Sequence, residues 1–170
     1  ASVGVHPDYE EITEPTVDQL ILLSKDKNVV AIGETGLDYF RLQGDLTWQR
    51  DRFRTHIRAA IEAQLPLIIH TRNAREDTIK IMQEESADKA SGVMHCFTES
   101  YEMAKQAIDL GFYISFSGII TFKNAEELRE TVKKIPLERM LIETDSPYLA
   151  PVPNRGKLNE PANVIYLSLI

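Results

Sequence analysis

Short apolar runs recur along the chain, and between them the apolar residues return every three or four positions. The runs are Ser2–Val5, Asn28–Ile32, Leu67–Ile69, Gly92–Met94, Phe112–Phe116 and Met140–Ile142. Most are continuously apolar rather than alternating, the pattern of strands covered on both faces of a parallel sheet. The intervening stretches predict helices. Thr16 caps one that carries Val17, Leu20, Ile21 and Leu23. Asp45–Gln64 sets Trp48, Phe53, Ile57 and Ile61 on one face and stops at Pro66. Asn73 or Arg75 opens a third, with Ile79 and Met82 turned inward. Ser100 caps Tyr101–Leu110 ahead of Gly111, and Asn124 caps Ala125–Ile135 ahead of Pro136.

Strand and helix in strict alternation imply right-handed crossovers and an α/β fold on a parallel sheet. About six βα units exceed a small flavodoxin-like sheet and fall short of a closed (β/α)8 barrel, which takes ~250 residues. No linker or repeat divides residues 1–170, so a single domain is expected. The final helical pattern, Val164, Ile165 and Leu167, is interrupted at Ile170. An incomplete barrel, truncated at both ends, is the expectation.

Composition narrows the function. The chain is 43% apolar and 26% charged, enough for a packed core and an ordinary polar surface. No apolar run approaches the ~20 residues of a membrane span. The start, Ala1–Val5 followed by His6 and Pro7, does not read as a secretory leader. One cysteine excludes a disulfide framework and suits a reducing, cytoplasmic setting. The net charge of −7 argues against holding nucleic acid on a broad basic surface. It leaves room for a nuclease whose positive field comes from divalent ions in an acidic mouth.

The chemistry collects where strands end. Val29–Gly33 leads to Glu34, Leu67–Ile69 to His70, Gly92–Met94 to His95, Met140–Ile142 to Glu143 and Asp145, and Ser2–Val5 to His6. In a parallel sheet those ends share one rim, so residues scattered in sequence converge. Imidazoles and carboxylates without thiolates form a ligand set for Zn²⁺, Mn²⁺ or Mg²⁺. Glu34 can bridge two ions. A bound metal lowers the pKa of water from 15.7 towards ~7, and Asp145 can relay the proton. Gly33 and Gly36 let the backbone approach closely around Glu34. His56, inside an amphipathic helix, is read as structural or exposed, and Cys96 as a small side chain packed behind His95.

Ordered motifs sharpen this. Gly4-Val5-His6-Pro7, Gly33-Glu34-Thr35-Gly36-Leu37-Asp38, Ile69-His70-Thr71-Arg72, His95-Cys96-Phe97, Ser115-Phe116-Ser117-Gly118, Glu143-Thr144-Asp145-Ser146-Pro147-Tyr148, Arg155-Gly156-Lys157 and Asn159-Glu160-Pro161 follow one another through the chain. Together they resemble the TatD family of metal-dependent deoxyribonucleases. The resemblance implies an amidohydrolase-like TIM barrel with two divalent ions at its C-terminal rim, hydrolysing DNA phosphodiesters, commonly as a 3′→5′ exonuclease. It makes Glu34, His70, His95 and Asp145 the metal ligands, with Glu34 bridging and Asp145 orienting or deprotonating the attacking water. It sets His6 beside the centre on the substrate or leaving group, and Arg72, Arg155 and Asn159 on the DNA phosphates. The family's opening His-x-His pair is absent, so by the same comparison the chain starts at the third barrel strand. Two other functions stay open: a metal hydrolase of a different bond, such as an aminoacyl-tRNA ester or a small amide, and a fragment without catalysis.

Overall fold

A computed structural model describes residues 1–40, 42 and 44–168. Six strands form one parallel sheet whose spatial order is the order of sequence: β1 Ser2–Val3, β2 Ala31–Asp38, β3 Leu67–Arg72, β4 Gly92–Met94, β5 Phe112–Phe116 and β6 Met140–Ile142. The helices of the crossovers are α1 Val17–Ser24, α2 Thr47–Ala63, α3 Arg75–Glu84, α4 Tyr101–Asp109 and α5 Glu126–Val132. Sequential parallel neighbours without a switch in order are an arc of barrel wall rather than a doubly wound sheet. The core fills that arc: Ile32, Leu67, Ile69, Met94, Ile114 and Phe116 from the strands meet Phe53, Ile57, Met82 and Met103 from the helices. β1 and β6 each pair on one side only. Apolar side chains stand out near those two edges, Val30 beside β1 and Leu141 and Ile142 on β6.

Local signals explain most element ends. Thr16 forms a reciprocal capping box with Gln19, and Ser100 accepts from the Met103 N–H at the start of α4. Gly111 closes α4 with a positive φ of 86°.

α1 carries Val17, Leu20, Ile21 and Leu23 and buries only Leu20. Three expectations are corrected. Asn124 does not cap α5, which is preceded by Ala125 without a side-chain cap and ends at Val132. Residues Pro161–Tyr166 form a 3-10 helix rather than an α-helix, and the end of that pattern, 169–170, lies outside the described residues. Most consequentially, β2 and β3 do not stop before Glu34 and His70 but run through them to Asp38 and Arg72. The glycines that resemble strand breakers are accommodated inside the ladder. No helix among the described residues is long and apolar enough to cross a membrane.

Candidate metal centre

The position of Glu34 is set by an irregularity in β2. Ile32 pairs with Leu67 and Thr35 with Ile69, so three steps along β2 match two along β3. The extra residue falls at Gly33 and Glu34, a bulge that re-aims a side chain. Gly36 pairs with His70, and a Cβ at Gly36 would overlap the His70 carbonyl. Glycine is therefore required where β2 lies against the strand that carries the imidazole.

Around Glu34 Oε1 three imidazoles converge. His70 Nδ1 is 3.2 Å away, His6 Nε2 3.5 Å and His95 Nε2 3.8 Å. His95 Nε2 is also 3.4 Å from Asp145 Oδ1. The His6 and His70 rings meet edge to face with centroids 4.7 Å apart. Ligand atoms of His6, Glu34 and His70 all lie within 4.8 Å of one another. The five residues come from β1, β2, β3, β4 and β6 or the loops that follow them, and all face one rim.

Two further carboxylates complete the geometry. Asp38 Oδ2 is 3.0 Å from His70 Nε2, and Glu143 Oε2 is 2.8 Å from His95 Nδ1. His70 and His95 thus each have one nitrogen held by an outer carboxylate and the other turned towards Glu34. That is the arrangement by which carboxylates orient metal-binding histidines. Glu143 also accepts from the backbone N–H of Cys96, which fixes the His95 turn. The donor set and its outer carboxylates fit a divalent metal. Asp38 was missed in the sequence because nothing along the chain marks which acid faces His70; its place four residues after Glu34 on an unbroken strand would have been the clue.

Charge follows the same contacts. Burial alone pushes the His70 ring down, but hydrogen bonds to Asp38 and Glu34 outweigh it and raise its pKa to about 9. His95 is likewise lowered by burial and raised, by Asp145 and Glu143, to about 10. Burial raises the Glu34 carboxyl, yet its bonds to His6 and His70 and the charge of His95 hold it far below the usual carboxylate range. In the metal-free protein a carboxylate thus faces the imidazolium rings of His70 and His95.

The His6 loop is gripped from α2. His56 Nε2 accepts from the Val5 N–H at 3.0 Å, Arg52 Nη1 donates to the His6 carbonyl at 3.1 Å, and Gln49 Nε2 donates to the Pro7 carbonyl at 3.1 Å. All three side chains are buried. His56 is therefore structural, its Nδ1 2.8 Å from the Arg52 carbonyl.

The remaining residues divide. The Arg72 guanidinium lies 3.7 Å over the Phe40 ring, two residues beyond His70, so it stands at the rim. Arg155 is 3.8 Å over the Phe122 ring, in the segment after β6. Asn159 does not face the site. Its side-chain amide donates at 2.7 Å to the Thr144 carbonyl and at 2.7 Å to the Tyr148 carbonyl. Its Oδ1 accepts from Asn163 and from the Glu160 N–H. With every polar atom engaged and 5% exposure, Asn159 ties down the loop that carries Asp145 rather than a phosphate. Cys96 Sγ rests 3.1 Å from Ser117 Oγ, and burial pushes its thiol up to about 12, out of the reactive range.

The sequence matches the family described as TatD related DNase over residues 1–168. The chain belongs to that family. A relative named as an uncharacterized metal-dependent hydrolase, from Buchnera aphidicola subsp. Acyrthosiphon pisum, is 53% identical over 98% of the chain and 66% of its own length. A protein of Citrobacter koseri named 3′-5′ ssDNA/RNA exonuclease TatD is 37% identical over 98% of the chain and 66% of its own length. Among solved structures, the TatD homolog YJJV of Escherichia coli K12 superposes with a TM-score of 0.86 at 28% identity, covering 98% of this chain and 65% of that one. This TatD chain thus spans about two thirds of such relatives, and its open six-stranded sheet is an incomplete TIM barrel of the TatD type.

Proposed function

We propose that the complete protein hydrolyses phosphodiester bonds of DNA, removing nucleotides from a 3′ end, with two divalent ions (Zn²⁺, Mg²⁺ or Mn²⁺) at this rim. One observation carries the reading: a single oxygen, Glu34 Oε1, faces imidazole nitrogens of three strands at 3.2 to 3.8 Å. A bound metal supplies Lewis acidity and lowers the pKa of a coordinated water. In this reading Glu34, His70, His95 and Asp145 would hold the ions. Asp38 and Glu143 accept from the outer ring nitrogens of His70 and His95 and keep the opposite nitrogens turned inward. Asp145 accepts the proton of the attacking water, within 3.4 Å of His95. His6 lies on the leaving-group side, fixed by α2. Arg72 and Arg155 meet the phosphates, since a guanidinium stacked on a ring keeps its N–H edge for an oxyanion. The exonuclease name of the Citrobacter relative supports nucleic acid as the substrate. A cytoplasmic setting goes with this reading, and the single free thiol supports it.

The test is hydrolysis by the full-length, metal-loaded protein of a 3′-labelled single-stranded oligonucleotide, beside an aminoacyl-tRNA ester and a small amide. Stepwise loss of the 3′ label, abolished by Glu34→Gln and by Asp145→Ala in folded variants, is expected. Turnover of the ester or amide alone would replace the substrate, and full DNA hydrolysis by Glu34→Gln would overturn the assignment.

A further inference from the structure

Four aromatic side chains stand among the exposed large apolar residues: Tyr9 at 60%, Phe40 at 53%, Tyr148 at 70% and Tyr113 at 39%. Three of them share one place in the fold. Tyr9 follows β1, Phe40 follows β2 and Tyr148 follows β6, each on a loop leaving the C-terminal end of its strand, where His6, Glu34, His70, His95 and Asp145 converge. Isolated exposed apolar residues are ordinary. These are tied individually to the site. The Tyr9 N–H donates to the His6 carbonyl at 3.3 Å, and the Tyr148 N–H to the Asp145 carbonyl at 2.9 Å. The Phe40 N–H donates at 2.9 Å to the Asp38 carboxylate that also holds His70. The backbone of each residue is thereby held one hydrogen bond from a cluster residue or, for Phe40, from the carboxylate that holds His70, and the Phe40 ring is backed by the Arg72 guanidinium at 3.7 Å.

We propose that Tyr9, Phe40 and Tyr148 form a stacking rim for the unpaired bases of a single strand, with Phe40 on Arg72 as its main platform. The inference rests on the nucleic-acid reading above and names what that site grips. Exposed rings stack on any base regardless of sequence, each stacked base contributing ~1–3 kcal/mol. Paired bases inside a duplex do not present their faces. With a net charge of −7, the surface offers no net positive field for backbone binding, so stacking adds affinity that the charge does not supply. Arg72 serves twice here, stiffening the ring from one side and directing its N–H edge to the adjoining phosphate.

Single-stranded oligonucleotides carrying either 2-aminopurine or an abasic residue near the 3′ end test this on the full-length, metal-loaded protein. Phe40→Ala is expected to raise KM for the normal strand by roughly 5- to 150-fold, the range that one stacked base commands. It should also erase the preference for the normal over the abasic strand and the 2-aminopurine quench on binding, whereas Phe40→Trp keeps both. Tyr113→Ala, an aromatic paired with Arg139 away from the rim, is the unaltered control. An unchanged KM and quench in Phe40→Ala, or equal handling of normal and abasic strands by the unsubstituted protein, overturns the stacking rim. Hydrolysis of base-free methyl p-nitrophenyl phosphate with no preference for nucleotides overturns it while leaving a phosphodiesterase. A quench with no cleavage of any diester upholds the rim and overturns the hydrolytic reading.

Discussion

Glu143 Oε2 lies 2.8 Å from Nδ1 of His95 and so turns the opposite nitrogen, Nε2, towards Asp145 and Glu34. A carboxylate two residues from one candidate ligand orients another ligand from a different strand. Truncating it frees the ring to rotate and lowers its basicity. Glu143→Ala is expected to weaken divalent-metal binding by about 10- to 100-fold, read by titration calorimetry on the metal-stripped full-length protein. Unchanged affinity would show that His95 needs no outer partner.

Metal uptake should release protons. His70 and His95 hold theirs up to about 9 and about 10 in the metal-free protein, whereas a ligand must be a neutral imidazole. Apparent metal affinity is therefore expected to rise steadily with pH from 6 towards about 10. Calorimetry in buffers of different ionisation enthalpy counts the protons, and a buffer-independent enthalpy would contradict the charged cluster.

The same shifts give the metal-free fold a pH dependence. Because folding raises these two pKa values above the ordinary 6.5, the folded protein binds protons more tightly than the unfolded chain. That stabilisation is complete below about pH 6.5 and is lost as pH rises through about 9 to 10. His56 works in the opposite sense. Burial, followed by the nearby Arg52 charge, holds its pKa down against the bond to the Arg52 carbonyl. Its contribution is present above pH 6.5 and declines as acid protonates the ring and breaks the bond from Val5. Denaturant midpoints of the metal-free protein should fall on both sides, and His56→Gln should flatten only the acid limb.

Asn159→Ala removes two hydrogen bonds from the loop that carries Asp145, whose φ of 57° lies in the left-handed region that few non-glycine residues adopt. Leaving the Thr144 and Tyr148 carbonyls unpartnered is expected to cost ~1–3 kcal/mol. Faster hydrogen exchange at 144–148, with a fall in kcat larger than any change in KM, checks it.

Gly36→Ala should not give a folded protein. The glycine φ is 134°, and an added Cβ would meet the His70 carbonyl across the β2–β3 ladder. Loss of soluble, cooperatively melting protein is the expected result, and a wild-type melting curve would refute the close approach.

The periodicity of the chain, by itself, determined the α/β order, the parallel sheet and five of the residues that gather at the rim. Those follow from local physics: continuous apolar runs must be covered on both faces, and every parallel strand delivers its last residues to the same side. The tertiary structure alone decided which atoms meet. The bulge at Gly33–Glu34 is a mismatch between two strands and leaves no trace in either one, so Glu34 and His70 read as residues beyond strand ends when they lie within them. Asp38 and Glu143 became the partners of His70 and His95 only when neighbouring strands fixed their register. Asn159, a polar residue in a motif of polar residues, took its role from being buried beneath a loop. Pairing across strands depends on distances that no single stretch of sequence contains.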